Sequence, residues 1–388
     1  GDYNKYTVNS AYSIGLMLSV YEQNKDYFAE LNTNIPESNN STPDILDEMM
    51  FNLKWLLTMQ DPSDGGIYHK LTTPNFEKFI MPDKCHQPRY VVAKSVTGTL
   101  DFAACMAQAS RLFEGNKDYP EFSAKAREAA IKAYEWAKKN PNEFYRQRDL
   151  NNKFKPSIST GEYGDFRCND EIFWAATELY RLTGISQYKE DAERLMPPFF
   201  MNTSWGMVNE LGLISWISSN DSEMRNKSLN LLKIYCDNQI ANVDKSDFQS
   251  PFGNKKNDFG WGCLGGNCCF PAIAMMYADK YINSEKYKKY AIENIDYLLG
   301  RNATGYCYVT GFGYLSPKHP HHRISASDGI EAPIPGLLVG GPNPGQQDKA
   351  EGNLVYPSDY PDESYLDQTE SYASNEIAIN WNAALSGI

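Results

Sequence analysis

The last twenty-four residues hold a group of acidic, amide and aromatic side chains: Tyr365-Leu366-Asp367, Tyr372-Ala373-Ser374-Asn375-Glu376 and Trp381-Asn382-Ala383. Glu376 reads as part of the last helix. Tyr372 lies four residues before it and Asn380 four after, so the three would share one helical face. Asp367 stands nine residues upstream of Glu376, in or near the loop that feeds that helix. A carboxylate flanked by a ring and an amide on an inward face has two readings. It is an acid that does proton chemistry, or a capping or surface glutamate near a helix start, where acids are favoured anyway. Spacing alone leaves the two even.

Other residues are ambiguous in the same way. Asp2 precedes an apolar run through Val8, Ala11, Ile14 and Leu18, and its default role is the N-cap of that helix. His69 follows Asp64-Gly65-Gly66 in a turn and is a surface residue by default. Asp170-Glu171 opens a helix, where first-turn acids complement the macrodipole. Phe259-Gly260-Trp261-Gly262 is a glycine-rich loop without the Lys-Ser/Thr of a phosphate loop, and Trp261 is either core or a platform for a flat ligand. His319, His321 and His322 cluster next to Arg323, but no carboxylate spacing beside them supports a metal. Cys85-His86 is one isolated pair and reads as plain loop more than as a metal site.

The elements that must position these groups are helical. Thr42-Pro43 opens a helix striped by Ile45, Met49, Leu53 and Leu56. Further helices are expected over 100–113, 120–139, 170–182, 221–240, 268–281 and 285–299, the last capped by Ser284. With the first and last helices and a short one from Ser186 the count is about eleven, and period-2 strands are scarce. Helix pairs joined by short loops indicate an all-α, α/α architecture, and the lack of a fixed repeat argues against a solenoid. Residues 325–362 are loop, and a loop that long in a compact domain usually carries function.

Composition narrows the partners. The net charge of −12 disfavours nucleic acid, which needs a basic stripe, and is compatible with an uncharged polymer. Aromatic residues reach 13%, enough both to fill a core and to stack sugar rings. No run of 18 apolar residues offers a membrane span. The eight cysteines show no repeated Cys-x-x-Cys, so a structural zinc site is not indicated and the redox compartment stays open. Gly1 is not a natural start, so the chain reads as cut or processed upstream.

The order Tyr365, Asp367, Tyr372, Glu376, Ala378, Asn382, Ala383 resembles the second signature of glycoside hydrolase family 9. Tyr308-Val309-Thr310-Gly311-Phe312-Gly313, with Pro320-His321-His322-Arg323, resembles the first. Gly-Ile-Tyr-His-Lys-Leu at 66–71 is similar to the subgroup that carries an N-terminal immunoglobulin-like domain. The resemblance runs from Asp2 to Ala384. It implies a single catalytic domain over 1–388, an (α/α)6 barrel of about six hairpins, and inverting hydrolysis of β-1,4-glucan. Cellulose is the expected substrate, with glucosamine oligomers and branched β-glucans as alternatives. It also implies a secreted, periplasmic or cell-surface location.

By the same resemblance Glu376 is the general acid, Asp2 the general base, and Asp367 a third acidic member of the site. His69, Trp261, His321, Arg323 and Tyr372 are the expected sugar holders; imidazole and guanidinium are suited to hydroxyls. The chemistry needs no cofactor, and Asp170 and Glu171 are expected to help bind a structural calcium. A helix N-terminus would keep Asp2 ionised, while burial against Tyr372 and the charge of Asp367 would raise the pKa of Glu376. The family's first aspartate, two residues before Gly1, falls outside the chain. It lies on a part of the protein not included here, or the protein is an inactive, glycan-binding homologue.

Overall fold

The computed structural model describes residues 2–241, 243–283, 285–351 and 353–388. The expected Ser284 cap lies outside the described residues. The chain is arranged in two compact units. One comprises Asn4–Phe76 and Pro88–Ser228, the other Gly1–Tyr3, Glu77–Gln87 and Leu229–Ile388.

The first unit begins with a three-stranded antiparallel ribbon, β1 (Lys5–Tyr6), β2 (Lys70–Thr72) and β3 (Tyr90–Val91), in that order. Helices follow: α1 (Thr7–Gln23), α2 (Lys25–Glu30), α3 (Asp44–Thr58), α4 (Val96–Leu112), α5 (Phe122–Lys139), α6 (Gln147–Lys153), α7 (Asn169–Thr183), α8 (Ser186–Arg194) and α9 (Asn209–Ile217). Central α4 packs on α1, α5 and α7. Its Ala103, Ala104, Ala107 and Ala109 are all buried, and alanine lets neighbouring backbones approach from several sides. Each fully buried large side chain, such as Phe102 or Trp174, contributes roughly 1.5–3 kcal/mol by leaving water. Helix α7 stops where the sequence says it should: Gly184 takes φ 72° and donates its N–H to Tyr180 O at 2.8 Å. A buried ion network ties three helices together, with Arg111 reaching Glu22 and Glu178 and Arg181 reaching Glu22.

Helix α10 (Ser222–Ile240) leads into the second unit. There a π-helical turn, Leu264–Cys269, runs into α11 (Phe270–Ile282), which packs on α12 (Glu285–Leu298). The chain closes with two short helices, α13 (Tyr372–Asn375) and α14 (Ile379–Leu385). The glycine-rich stretch before α11 lies against Trp381: a Cβ on Gly265 would stand 2.7 Å from the Trp381 Cα. Only glycine allows that approach.

Helix ends match the sequence reading to within a few residues. Helices α2, α6 and α9 do not appear in that reading, and α9 shows why. All nine of its residues except Asn209 are buried, so Asn-Glu-Leu-Gly-Leu-Ile-Ser-Trp-Ile has no polar face to produce a helical period.

Candidate active site

Glu376 sits in the break between α13 and α14, not on a helix. Its backbone is extended, at φ −71° and ψ 150°. The helical face expected to join Tyr372, Glu376 and Asn380 is therefore interrupted, and Glu376 is presented by a kink. Four successive carbonyls fasten that kink to surrounding loops. Ala373 O accepts from Asn343 Nδ2 at 2.8 Å, and Ser374 O from Gly341 N at 2.8 Å. Asn375 O accepts from His321 N at 2.9 Å, and Glu376 O from Gly340 N at 3.0 Å.

The signature residues upstream explain themselves through Asn375, which is fully buried. Its Oδ1 accepts from Tyr365 OH at 2.6 Å, and its Nδ2 donates to His319 O at 2.7 Å and Asp367 Oδ1 at 3.2 Å. Asp367 also accepts the backbone N–H groups of Lys318 and His319, at 2.7 and 2.9 Å. Its carboxylate thus holds the loop that carries His321.

Burial pushes the Glu376 carboxyl above its ordinary value, the charge of Asp2 adds to the rise, and Arg323 opposes it. The like charge acting on Glu376 is that of Asp2, whereas the sequence pointed to Asp367. Asp2 is not the cap of α1, because β1 intervenes and Tyr6 occupies the N-cap position.

His321 Nδ1 lies 2.7 Å from Thr369 O. A carbonyl only accepts, so Nδ1 carries the proton and Nε2 is the unprotonated nitrogen. Burial pushes this imidazole down to about 3, so it is neutral near pH 7. Arg323 is buried, donates Nε–H to Glu77 O at 2.9 Å, and lies over the Phe79 ring at 5.5 Å. His321 meets the same ring edge-on at 5.1 Å. Trp261 is 49% exposed, and its ring lies 5.6 Å from that of Tyr372. Burial, with help from Glu351, raises the Tyr372 phenol to about 12, so it keeps its proton. His322 Nδ1 is engaged at 2.9 Å from Ser325 Oγ. An acid of raised pKa, a second carboxylate in electrostatic reach, a neutral imidazole, a guanidinium and an exposed indole make a site for acid–base work on a hydroxyl-rich ligand.

The sequence profile described as Glycosyl hydrolase family 9 matches residues 1–388. The chain belongs to this family. It is 56% identical over 393 residues to the Xyloglucan-specific endo-beta-1,4-glucanase BoGH9A of Bacteroides ovatus, covering 99% of this chain and 66% of that protein. It is 34% identical to Endoglucanase D of Acetivibrio thermocellus, covering 99% of this chain and 58% of that one. The chain therefore spans about three-fifths of the length of these relatives. Among solved structures it superposes on Bacteroides ovatus GH9 with a TM-score of 0.95 at 53% identity, covering 100% of this chain and 70% of that one. It superposes on AaCel9A, in complex with cellobiose-like isofagomine, with a TM-score of 0.88 at 31% identity, covering 100% and 72%. The all-α class holds, and the architecture is the (α/α)6 barrel of family 9.

The remaining expected residues lie in the other unit. His69 is 0% exposed, with both ring nitrogens in use. Nε2 donates to Glu162 O at 2.8 Å, and Nδ1 accepts from Ser95 Oγ at 2.8 Å. Ser95 in turn caps α4 by accepting from Gly98 N. The ring stacks on Tyr145 at 4.2 Å. Direct sugar contact by His69, expected from the sequence, is thus corrected: the residue is a buried joint between the 66–71 loop and α4. Cys85, in the same unit as Glu376, has its Sγ 3.7 Å from Met81 O, in a loop.

Asp170 and Glu171 stand at the start of α7 among acids that sequence reasoning missed. Asp101 and Glu171 are buried, and among the described residues none of their four carboxylate oxygens meets a ready hydrogen-bond donor. Asp170 accepts from Val208 N at 3.0 Å. Burial raises both Asp101 and Glu171, and Asp170 adds to both. The only hint of Asp101 in the sequence is one acid inside the otherwise apolar run Leu-Asp-Phe-Ala-Ala-Cys. Orphaned carboxylate oxygens are the donor type a hard cation such as calcium takes, and a cation would neutralise them. Among the described residues no three acidic, imidazole or thiol side chains form a ready metal nest, so backbone carbonyls or water would have to complete such a site.

Proposed function

We propose that this chain is the catalytic domain of an endo-acting β-1,4-glucanase that works with inversion. The observation that carries the proposal is Glu376: a carboxyl raised by burial, held on a kinked backbone, with Asp2 in electrostatic reach. Asp2 takes a proton from water, the water attacks the anomeric carbon, and Glu376 gives its proton to the leaving oxygen. Inversion places such a pair roughly 6.5–9.5 Å apart, with room for the water. His321 Nε2 accepts from a sugar hydroxyl and the Arg323 guanidinium donates to one. Trp261 and Tyr372 carry a flat pyranose face. Asp367 aligns the loop that bears His321.

Identity to a relative named for xyloglucan supports a branched β-1,4-glucan as substrate, with unbranched cellulose as the weaker one. The chemistry itself needs no cofactor. Calcium, held by one or two of the carboxylates of Asp101, Asp170 and Glu171 and completed by backbone carbonyls or water, would supply fixed positive charge at the start of α7. Among the described residues no helix is long and apolar enough to cross a membrane. A polymer too large to enter a cell calls for a secreted or surface enzyme, and the match at 66–71 supports an immunoglobulin-like domain as neighbour.

Hydrolysis of xyloglucan, carboxymethyl cellulose and cello-oligosaccharides by the chain and by Glu376→Gln tests the proposal. Turnover by the first and a loss of several orders of magnitude in the second is expected. Equal rates would remove Glu376 from the mechanism, and binding without turnover by either would leave a glycan-binding protein.

A further inference from the structure

Asp348 lies in the long loop before the signature and is 1% exposed. Its Oδ2 accepts the backbone N–H of Ala373 at 2.7 Å, and its Oδ1 accepts the Tyr356 hydroxyl at 2.8 Å. The same Tyr356 oxygen is 3.0 Å from Ser371 Oγ, and Ser371 Oγ is 3.0 Å from Ser374 Oγ. All four partners lie within or against 371–374, the segment that ends in the Glu376 kink. The other side of Ala373, its carbonyl, is taken by Asn343 from the same loop. A buried carboxylate is costly unless it is satisfied, and here one oxygen bonds this segment directly and the other bonds Tyr356, which in turn reaches Ser371.

We infer that Asp348 is a positioning residue for Glu376. The inference rests on the reading of Glu376 as general acid. Asp348 makes a charge-assisted hydrogen bond to the backbone three residues before the acid, and Tyr356 braces the carboxylate from behind. Asparagine has the same shape but only one acceptor oxygen. With its NH2 toward Ala373 two donors would oppose each other; with its NH2 toward Tyr356 the phenol would have to accept and turn its O–H to Ser371, and Ala373 N–H would keep only a neutral amide oxygen, so in either orientation the charge-assisted bond to the segment is lost and the segment would shift. A general acid displaced by about 1 Å loses on the order of a hundredfold in rate.

The test separates positioning of the acid from general damage by using the leaving group. A cello-oligosaccharide needs a proton on its departing oxygen, whereas a 2,4-dinitrophenyl β-cellobioside departs without one. For Asp348→Asn, kcat on the oligosaccharide is expected to fall about 10- to 100-fold with KM nearly unchanged, and kcat on the aryl glycoside to fall less than about threefold. Glu376→Gln should show the same discrimination, larger. Equal losses on both substrates, or none on either, overturn the inference. If Glu376→Gln itself fails to discriminate, the acid assignment falls and the inference falls with it. If Glu376→Gln discriminates and Asp348→Asn does not, only the inference falls. Should Asp348→Asn fail to fold by circular dichroism, Tyr356→Phe, which removes the brace and keeps the ring, must show the same pattern in smaller measure. A Tyr356→Phe enzyme unchanged on both substrates overturns the inference.

Discussion

The backbone N–H of His321 donates to the carbonyl of Asn375, 2.9 Å away, one residue before Glu376. The bond joins the two signature stretches through residues 54 positions apart in the chain (375 − 321). It ties the backbone of His321, the proposed sugar holder, to the backbone next to Glu376, the proposed acid.

As the proposed general acid, Glu376 must be protonated to act, and burial raises its pKa above the usual glutamate value. Activity should therefore survive above the usual carboxylate range and fall as pH rises through the raised value. Asp2 and Arg323 act on the same acid; His321, bridged to it through the backbone, is already neutral above about 3 and does not supply this limb. A pH profile of kcat on cello-oligosaccharides checks this, and a limb at or below 4.5 would count against the assignment.

His321→Ala should lower kcat/KM about five- to tenfold, the effect of losing one hydrogen bond of about 1–1.5 kcal/mol to a substrate hydroxyl. Trp261→Ala should raise KM about two- to tenfold for loss of about 0.5–1.5 kcal/mol of stacking. Because Trp261 is half exposed, melting temperature should barely change. Steady-state kinetics with a melting curve on each variant separates binding from stability.

His69 bears on stability rather than on sugar binding. Burial lowers its pKa from 6.5 to about 4, so the folded state binds the proton less well than the unfolded chain. Its contribution is full above about pH 6.5 and is lost as pH falls toward about 4, by at most about 3 kcal/mol. Denaturant unfolding of the wild type and of His69→Gln across that range should give a flatter acid slope in the variant. Parallel slopes would show that the imidazole does not report burial.

Calcium should stabilise the fold through the orphaned carboxylates of Asp101 and Glu171. At a hundred times its dissociation constant a ligand of the native state adds about 2.7 kcal/mol. The melting temperature should rise with added calcium, fall with a chelator, and lose both responses in Asp101→Asn and Glu171→Gln. A calcium-independent melting curve in the wild type would mean that these acids hold protons instead.

The sequence by itself determined most of the long helices, their approximate ends and the family. Amphipathic stripes on α5 and α7, the αL glycine after α7 and the two signatures are local or collinear patterns, and local propensity produces them. Helix α9 escaped because total burial erases periodicity. Tertiary structure alone decided which charges meet. Glu376 lies on a kink because carbonyls 373–376 are bonded by Asn343, Gly341, His321 and Gly340, residues distant in the chain. It also placed Asp2, not Asp367, as the like charge on Glu376, buried His69, and left the oxygens of Asp101 without partners. Burial and electrostatic pairing depend on distances in space, and a linear order of residues does not contain them.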